Sequence, residues 1–212
     1  DIARILEIAS EAGVDLVTLD GAGGGTGSSP TKMMNEWGMP TVVLETIVRR
    51  ILAGLEKAGK PLPPVAMAGG FATEDQIFKG LALGAPYVRT IAVGRAAMAA
   101  AMVGRQVGEA VKKGSVPREY ARFGSSLEEV FADFRLLKAE YGDEASDVPA
   151  GALGLYSYLN RVSVGLKQLM ALNRKFALRF IGRDDIVPLT EEAAKATGLA
   201  TYEELLDAGS PD

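Results

Sequence analysis

Cysteine and histidine are both missing from this sequence of 212 residues. Without cysteine the chain cannot form disulfides, thiolate zinc sites or cysteine-ligated iron–sulfur clusters. Without histidine it cannot build a Ser-His-Asp triad, a Cys-His pair or a histidine metal site. We therefore assign no catalytic side chain and no metal site, and we expect a cofactor to carry any chemistry.

An excess of one charge and a long apolar run are lacking too. The 23 basic and 27 acidic residues leave a net charge of −4, which gives no electrostatic reason to bind nucleic acid or an anionic membrane. The best candidate for a membrane span, Ile91–Val103, is too short and contains Arg95. No signal peptide is evident. We expect a cytoplasmic protein, and one that is a piece of a longer chain because Asp1 already lies inside a helical pattern.

Glycine, by contrast, is abundant, and five of the 25 glycines fall in the stretch Asp20–Pro30, D-G-A-G-G-G-T-G-S-S-P. Glycine tolerates positive φ and has no Cβ, so such a backbone can lie flush against a ligand. Successive N–H groups in a loop of this kind can form an anion-binding concavity. The stretch is therefore interpreted as a ligand-facing loop, with a flexible linker as the alternative.

Apolar strands alternate with helical patterns in the first half of the chain. The predicted strands are Val14–Leu19 and Val65–Ala68, both expected to be buried, and Tyr87–Val93. A capping box at Thr73 and Gln76 opens one of the helices between them. This alternation is typical of a parallel α/β sheet. Glycines follow each strand, so the loops are expected at the one sheet edge where α/β proteins bind ligands.

After Gly114 the sequence predicts helices alone. Ser126 and Glu129 form a capping box before a helix that is predicted to continue through Leu137. A long helical segment covers about Leu153–Phe180, and two short capped segments follow. No strand is predicted in this region, whose expected role is packing and contact between subunits.

Two strand ends together resemble a phosphate site. Gly69 and Gly70 follow the second predicted strand, and Gly94 and Arg95 follow the third. In (β/α)8 barrels the loops after the last two strands often bind phosphate through backbone N–H groups, and an arginine could add a charge-assisted hydrogen bond. The alternatives are a tight turn at the glycines and a surface cation at Arg95.

The motifs D-G-A-G-G-G-T-G-S-S-P, W-G-M-P, A-G-G-F and A-V-G-R-A resemble the FMN-binding domain of the glutamate synthase family across about Val14–Met102. The first motif is distinctive of that family, and the others are shared with many FMN and phosphate barrels. The resemblance implies the C-terminal part of a TIM (β/α)8 barrel, about three βα units, at residues 1–114. Residues 115–212 would be a helical C-terminal extension.

The resemblance also implies roles for individual residues. Gly69, Gly70, Gly94 and Arg95 would hold the FMN phosphate. The residues that would line the substrate cavity beside the flavin are Asp20, Gly21, Gly24, Gly25, Thr26, Gly27 and Ser28. The implied reaction is reduction by FMN of 2-iminoglutarate, made from 2-oxoglutarate and ammonia, to glutamate.

The chain departs from the family in ways that shape these expectations. It has no cysteine for the family's iron–sulfur cluster or glutaminase, so electrons and ammonia would come from elsewhere. Three strands are too few for a barrel, so we expect the missing N-terminal half to be a partner. Alone, this piece is expected to be inactive or weakly FMN-binding and to self-associate. The alternatives are another phosphate-binding TIM-barrel enzyme and a non-catalytic phosphate-binding or assembly module.

Overall fold

The computed structural model of the chain describes residues 1–22 and 29–209. It contains three strands, β1 (Val17–Asp20), β2 (Val65–Ala68) and β3 (Val88–Ile91). The helices up to the end of the strand region are α1 (Ile2–Ala12), α2 (Thr31–Asn35), α3 (Thr41–Lys57), α4 (Glu74–Gly84) and α5 (Arg95–Lys112). The remaining α-helices are α6 (Arg118–Ala121), α7 (Leu127–Val130), α8 (Phe134–Tyr141), α9 (Ala150–Leu172), α10 (Glu191–Thr197) and α11 (Tyr202–Gly209). Short 3-10 helices lie at Gly142–Asp147, Leu178–Phe180 and Arg183–Asp185.

The chain forms two compact units. The first comprises residues 1–93 and 166–212, and the second comprises residues 94–165. Helix α9 contributes its residues up to Gly165 to the second unit and the rest to the first. These units do not test the expected division into two domains after Gly114, and that division stays a prediction.

The first unit is built on a parallel sheet with the strand order β1-β2-β3. Val17 of β1 pairs with Val65 of β2, and β2 pairs with β3 in the same direction. The prediction of a mixed α/β fold with a parallel sheet is thus confirmed. The sheet's core consists of buried side chains from α1, α3 and the strands, namely Leu6, Leu44, Val48, Leu52, Leu55, Val65, Met67 and Val88.

The first strand differs from its predicted extent and burial. The strand expected over Val14–Leu19 begins only at Val17, because the Val14 N–H donates a hydrogen bond to the Ala9 carbonyl at the end of α1. Leu16, between the two, is 54% exposed. The expectation of a buried strand is also wrong, since β1 alternates half-buried and exposed residues. This pattern fits an edge strand that is covered on one face only.

The helix ends follow sequence signals where those signals are glycines or capping residues. Gly13 ends α1 with φ +65°, as predicted. Gln76 Oε1 accepts hydrogen bonds from the N–H groups of Ala72 and Thr73 at 2.8 and 3.2 Å, which confirms the capping box of α4.

The second unit corrects one helix prediction. Glu129 Oε2 accepts a hydrogen bond from the Ser126 N–H at 3.0 Å, so the predicted capping box is present. The helix it opens ends at Val130, however, because Phe131 adopts φ −107° and ψ +93°. Phe131 and Phe134 thereby both enter a second core with Val107 and Leu153. Burial of two aromatic rings outweighs one continued turn of helix.

The long helical segment predicted to reach Phe180 ends at Leu172 as α9. Arg174 lies in the left-handed region with φ +56°, and the N–H of Lys175 donates to the Met170 carbonyl at 2.8 Å. The left-handed residue and this hydrogen bond end the helix, a role that glycine usually has. Within residues 115–209 the structure contains no strand, as expected.

No helix in the described part of the chain is both long and apolar enough to cross a membrane.

Candidate functional site

The carboxyl ends of β1 and β2 lie side by side. Asp20, the last residue of β1, pairs with Ala68, the last residue of β2, and the Gly21 N–H donates to the Ala68 carbonyl at 2.9 Å. The two glycine-containing loops therefore begin at the same edge of the sheet, as parallel strands require.

A tight contact among Gly21, Thr41 and Gly69 joins these loops to the start of α3. Thr41 Oγ1 donates a hydrogen bond to the Gly69 carbonyl at 2.8 Å. A Cβ on Gly69 would lie 2.7 Å from the Gly21 nitrogen, and a Cβ on Gly21 would overlap the Thr41 side chain. Only glycine at both positions lets the two backbones approach this closely.

Two backbone donors at this edge have no hydrogen-bond partner among the described residues. Gly69 and Gly70 adopt φ values of +113° and +82°. Among the described residues, neither of their N–H groups donates a hydrogen bond. Gly70 is exposed, and a Cβ there would find its nearest neighbour 3.9 Å away. Adjacent N–H groups without partners, one of them at an exposed residue, are the kind of donors that an anion requires.

The rest of the predicted substrate loop is only partly described. Asp20 is exposed at the end of β1, and the Ala22 N–H donates to the Met39 carbonyl at 2.6 Å, which ties the start of the loop to the segment before α3. The other predicted substrate residues, Gly24, Gly25, Thr26, Gly27 and Ser28, lie outside the described residues. Their role stays a prediction.

The other half of the predicted phosphate site belongs to the second unit. Gly94 immediately precedes α5 with φ −109° and ψ −81°, and it supplies no side-chain cap to the helix. Arg95 is the first residue of α5 and is exposed. Helix α5 thus starts at the two residues that the sequence predicts to bind phosphate, and the N–H groups of its first turn lie there. The combination of these residues with Gly69 and Gly70 in one site stays a prediction.

A cavity of about 500 Å³ lies in the first unit beside Gly69 and Gly70, between α3, α4 and the segment around α10. Glu45 of α3 is among its lining residues and is only 1% exposed. Its Oε1 has no hydrogen-bond partner among the described residues. Burial raises the pKa of this carboxyl to about 8, because the charged form loses its hydration.

Thr41 and Glu45 are functional candidates that the sequence did not reveal. Both lie in the first turns of α3, whose apolar face dominates its pattern. A signal for Glu45 is nevertheless present, since it lies three residues before Val48 and seven before Leu52 on the buried side of the helix. A carboxylate at such a position needs a partner or a raised pKa. The hydrogen bond from Thr41 at the start of α3 to the Gly69 carbonyl cannot be predicted from any pattern in the sequence.

A metal site would need acidic side chains that converge. No three of them do so within residues 1–22 and 29–209.

These features define an α/β protein with glycine loops at the carboxyl edge of a parallel sheet. A family profile described as the conserved region in glutamate synthase matches residues 2–106. Through this region the chain belongs to the glutamate synthase family. Comparisons with curated proteins and with solved structures found no match.

The contact at Gly69 predicts a large effect for a small substitution. Gly69→Ala should lower the free energy of unfolding by about 2 kcal/mol or more, because it combines a positive φ with a clash against backbone. Gly59→Ala is the matched control, since Gly59 has φ +68° and nothing within 4 Å of an added Cβ. Urea unfolding of both variants measures the difference. Equal losses would show that the close approach to Gly21 is unimportant.

The buried Glu45 predicts a pH-dependent stability. Its pKa of about 8 in the folded chain exceeds the ordinary 4.5, so the folded state holds an extra proton between these values. The Glu45 contribution to stability should therefore be largest below pH 4.5 and fall by up to about 1.4 kcal/mol per pH unit as the pH rises toward 8. Glu45→Gln should remove this part of the slope, as urea unfolding at pH 5.5 and 7.5 would measure. Parallel pH profiles of the two proteins would contradict the assignment.

Proposed function

We propose that the chain is the C-terminal part of an FMN-dependent oxidoreductase that resembles glutamate synthase and forms glutamate from 2-oxoglutarate and ammonia. The observation that carries the proposal is the pair of N–H groups of Gly69 and Gly70, without partners among the described residues and next to the start of the glycine-rich loop. The family membership of residues 2–106 supports the same function. A cytoplasmic location would accompany it.

The residues present fit a phosphate group. Gly70 is exposed, and its missing side chain leaves open space where an anion can approach the backbone. Gly69 and Gly70 would donate hydrogen bonds to phosphate oxygens, and Gly94 and Arg95 would contribute the start of a helix and a guanidinium. When bound, FMN would supply hydride for the reduction of a carbon–nitrogen double bond.

The chain's own contribution would be positioning. Gly21, Thr41 and Gly69 fix the start of one loop against the other, so that a phosphate held at Gly70 and a substrate held beyond Asp20 keep a constant separation. The substrate would lie along Gly24, Gly25, Thr26, Gly27 and Ser28, whose backbone and hydroxyl donors suit a carboxylate. Such fixed donors stabilise developing charge without reorganisation.

A preceding barrel half is part of this proposal. In the described sheet, β1 and β3 each pair with one strand only, and exposed apolar side chains near its ends include Leu16 and Trp37. Open strand edges and exposed apolar groups favour association. The strands that precede β1 in the parent barrel would cover them, and self-association would do so when that half is absent.

A flavin titration tests the proposal. FMN fluorescence quenching is measured with the chain alone and with the chain joined to the N-terminal barrel half of a glutamate synthase family member. Binding should strengthen at least tenfold in the joined protein, because the remaining flavin contacts and sheet edges are then supplied. Arg95→Ala should weaken binding about tenfold, the cost of one charge-assisted contact.

The matched control is Arg105→Ala, which removes an exposed arginine of the same helix that pairs with Glu109 and should leave binding unchanged. A folded joined protein that binds no FMN would overturn the flavin proposal. If it instead binds a sugar phosphate with the same dependence on Arg95, the chain belongs to a phosphate-binding enzyme of another kind.

A further inference from the structure

The cavity between α3, α4 and the chain around α10 has the dimensions of a small-molecule site. Its volume of about 500 Å³ falls within the range of known ligand pockets. Most of its wall is apolar and includes Phe71, Leu83, Ile186, Val187 and Leu199. All of its lining residues belong to the first unit. A ligand here would bury a largely apolar body.

Most polar side chains that line the cavity already have partners. Thr41 Oγ1 donates to a backbone carbonyl at 2.8 Å, Gln76 Oε1 accepts from two N–H groups, and Thr197 Oγ1 donates to a carbonyl at 2.7 Å. Lys79 Nζ pairs with Asp75 at 2.9 Å. Each of these side chains thus has at least one partner within the chain.

Glu45 is the exception among these polar side chains. It is 1% exposed, and its Oε1 faces Gly84 of α4 without a hydrogen-bond partner among the described residues. No salt bridge within the same part of the chain involves it; the basic side chain of the cavity wall, Lys79, pairs with Asp75 instead. A buried carboxyl in this state carries an uncompensated desolvation cost.

We propose that this cavity binds a small apolar molecule with a primary ammonium group, and that Glu45 pairs with the ammonium. The ammonium supplies both the positive charge and the N–H donors that Glu45 lacks, while the apolar body contacts side chains such as Phe71 and Leu199. A neutral alcohol would return only part of this interaction, and a carboxylate would be repelled. The cavity also borders Gly69 and Gly70, but this proposal rests on Glu45 and does not depend on the flavin proposal.

Calorimetric titration with three matched probes tests the site, using the whole 212-residue chain. The probes are 2-phenylethylammonium, 2-phenylethanol and 3-phenylpropionate, which share an aromatic body and differ in charge. At pH 8.5 the ammonium should bind at least tenfold more tightly than the alcohol, as a charge-assisted hydrogen bond predicts. The carboxylate should bind most weakly. Glu45→Gln should abolish the preference for ammonium and leave alcohol affinity within about twofold.

Two further variants separate the site from general effects. Glu109→Gln neutralises an exposed carboxylate of α5 and should keep the preference for ammonium. Val187→Trp should fill the cavity and weaken ammonium and alcohol alike. Equal binding of ammonium and alcohol by the unmodified chain would overturn the proposal, as would a preference that survives Glu45→Gln or no binding of any probe at millimolar concentration. The comparison in the unmodified chain stands even if a variant fails to fold.

Discussion

The close approach of Gly21 to Gly69 is the constraint on which the carboxyl edge of the sheet depends. Thr41 completes it by donating its hydroxyl to the Gly69 carbonyl, so that a helix start and two strand ends are held together. Because there is no room for a Cβ at either glycine, the positions of both loops follow from their backbones. Their relative placement is therefore independent of flexible side chains, as a site that positions a ligand requires.

A short stretch of α3 contributes both to the contact with Gly69 and to the wall of the cavity beside it. Thr41 fixes the loop at Gly69, and Glu45, one turn later, lines the neighbouring cavity with a buried carboxyl. The carboxyl lowers the stability of the fold as the pH approaches 8, since burial opposes its ionisation. Retaining a destabilising group in an otherwise apolar core is typical of residues that act on a ligand.

Local signals in the sequence predict the central strand and the helix ends that a glycine or a capping box marks. They do not predict the helix ends at Val130 and Leu172 or the contacts between distant residues. Val65–Ala68 is a strand with the bounds expected from its apolar run, and Gly13 caps α1 by its left-handed conformation. The break at Phe131 depends on how aromatic rings fill a core, which periodicity does not encode. Gly69 is predicted as a site residue from its place after a strand, but its packing on Thr41 and the isolation of Glu45 arise only once α3 and β2 meet.

Binding of a phosphate by the N–H groups of Gly69 and Gly70 is the central claim, and amide NMR of the 15N-labelled chain tests it most directly. Millimolar FMN should shift both amide resonances, while riboflavin, which has no phosphate, should leave them in place. Gly13 and Gly59 are internal references, because they also adopt positive φ but do not line the cavity beside Gly69 and Gly70. Shifts at Gly69 and Gly70 no larger than at these references, or equal shifts with riboflavin, would contradict the claim.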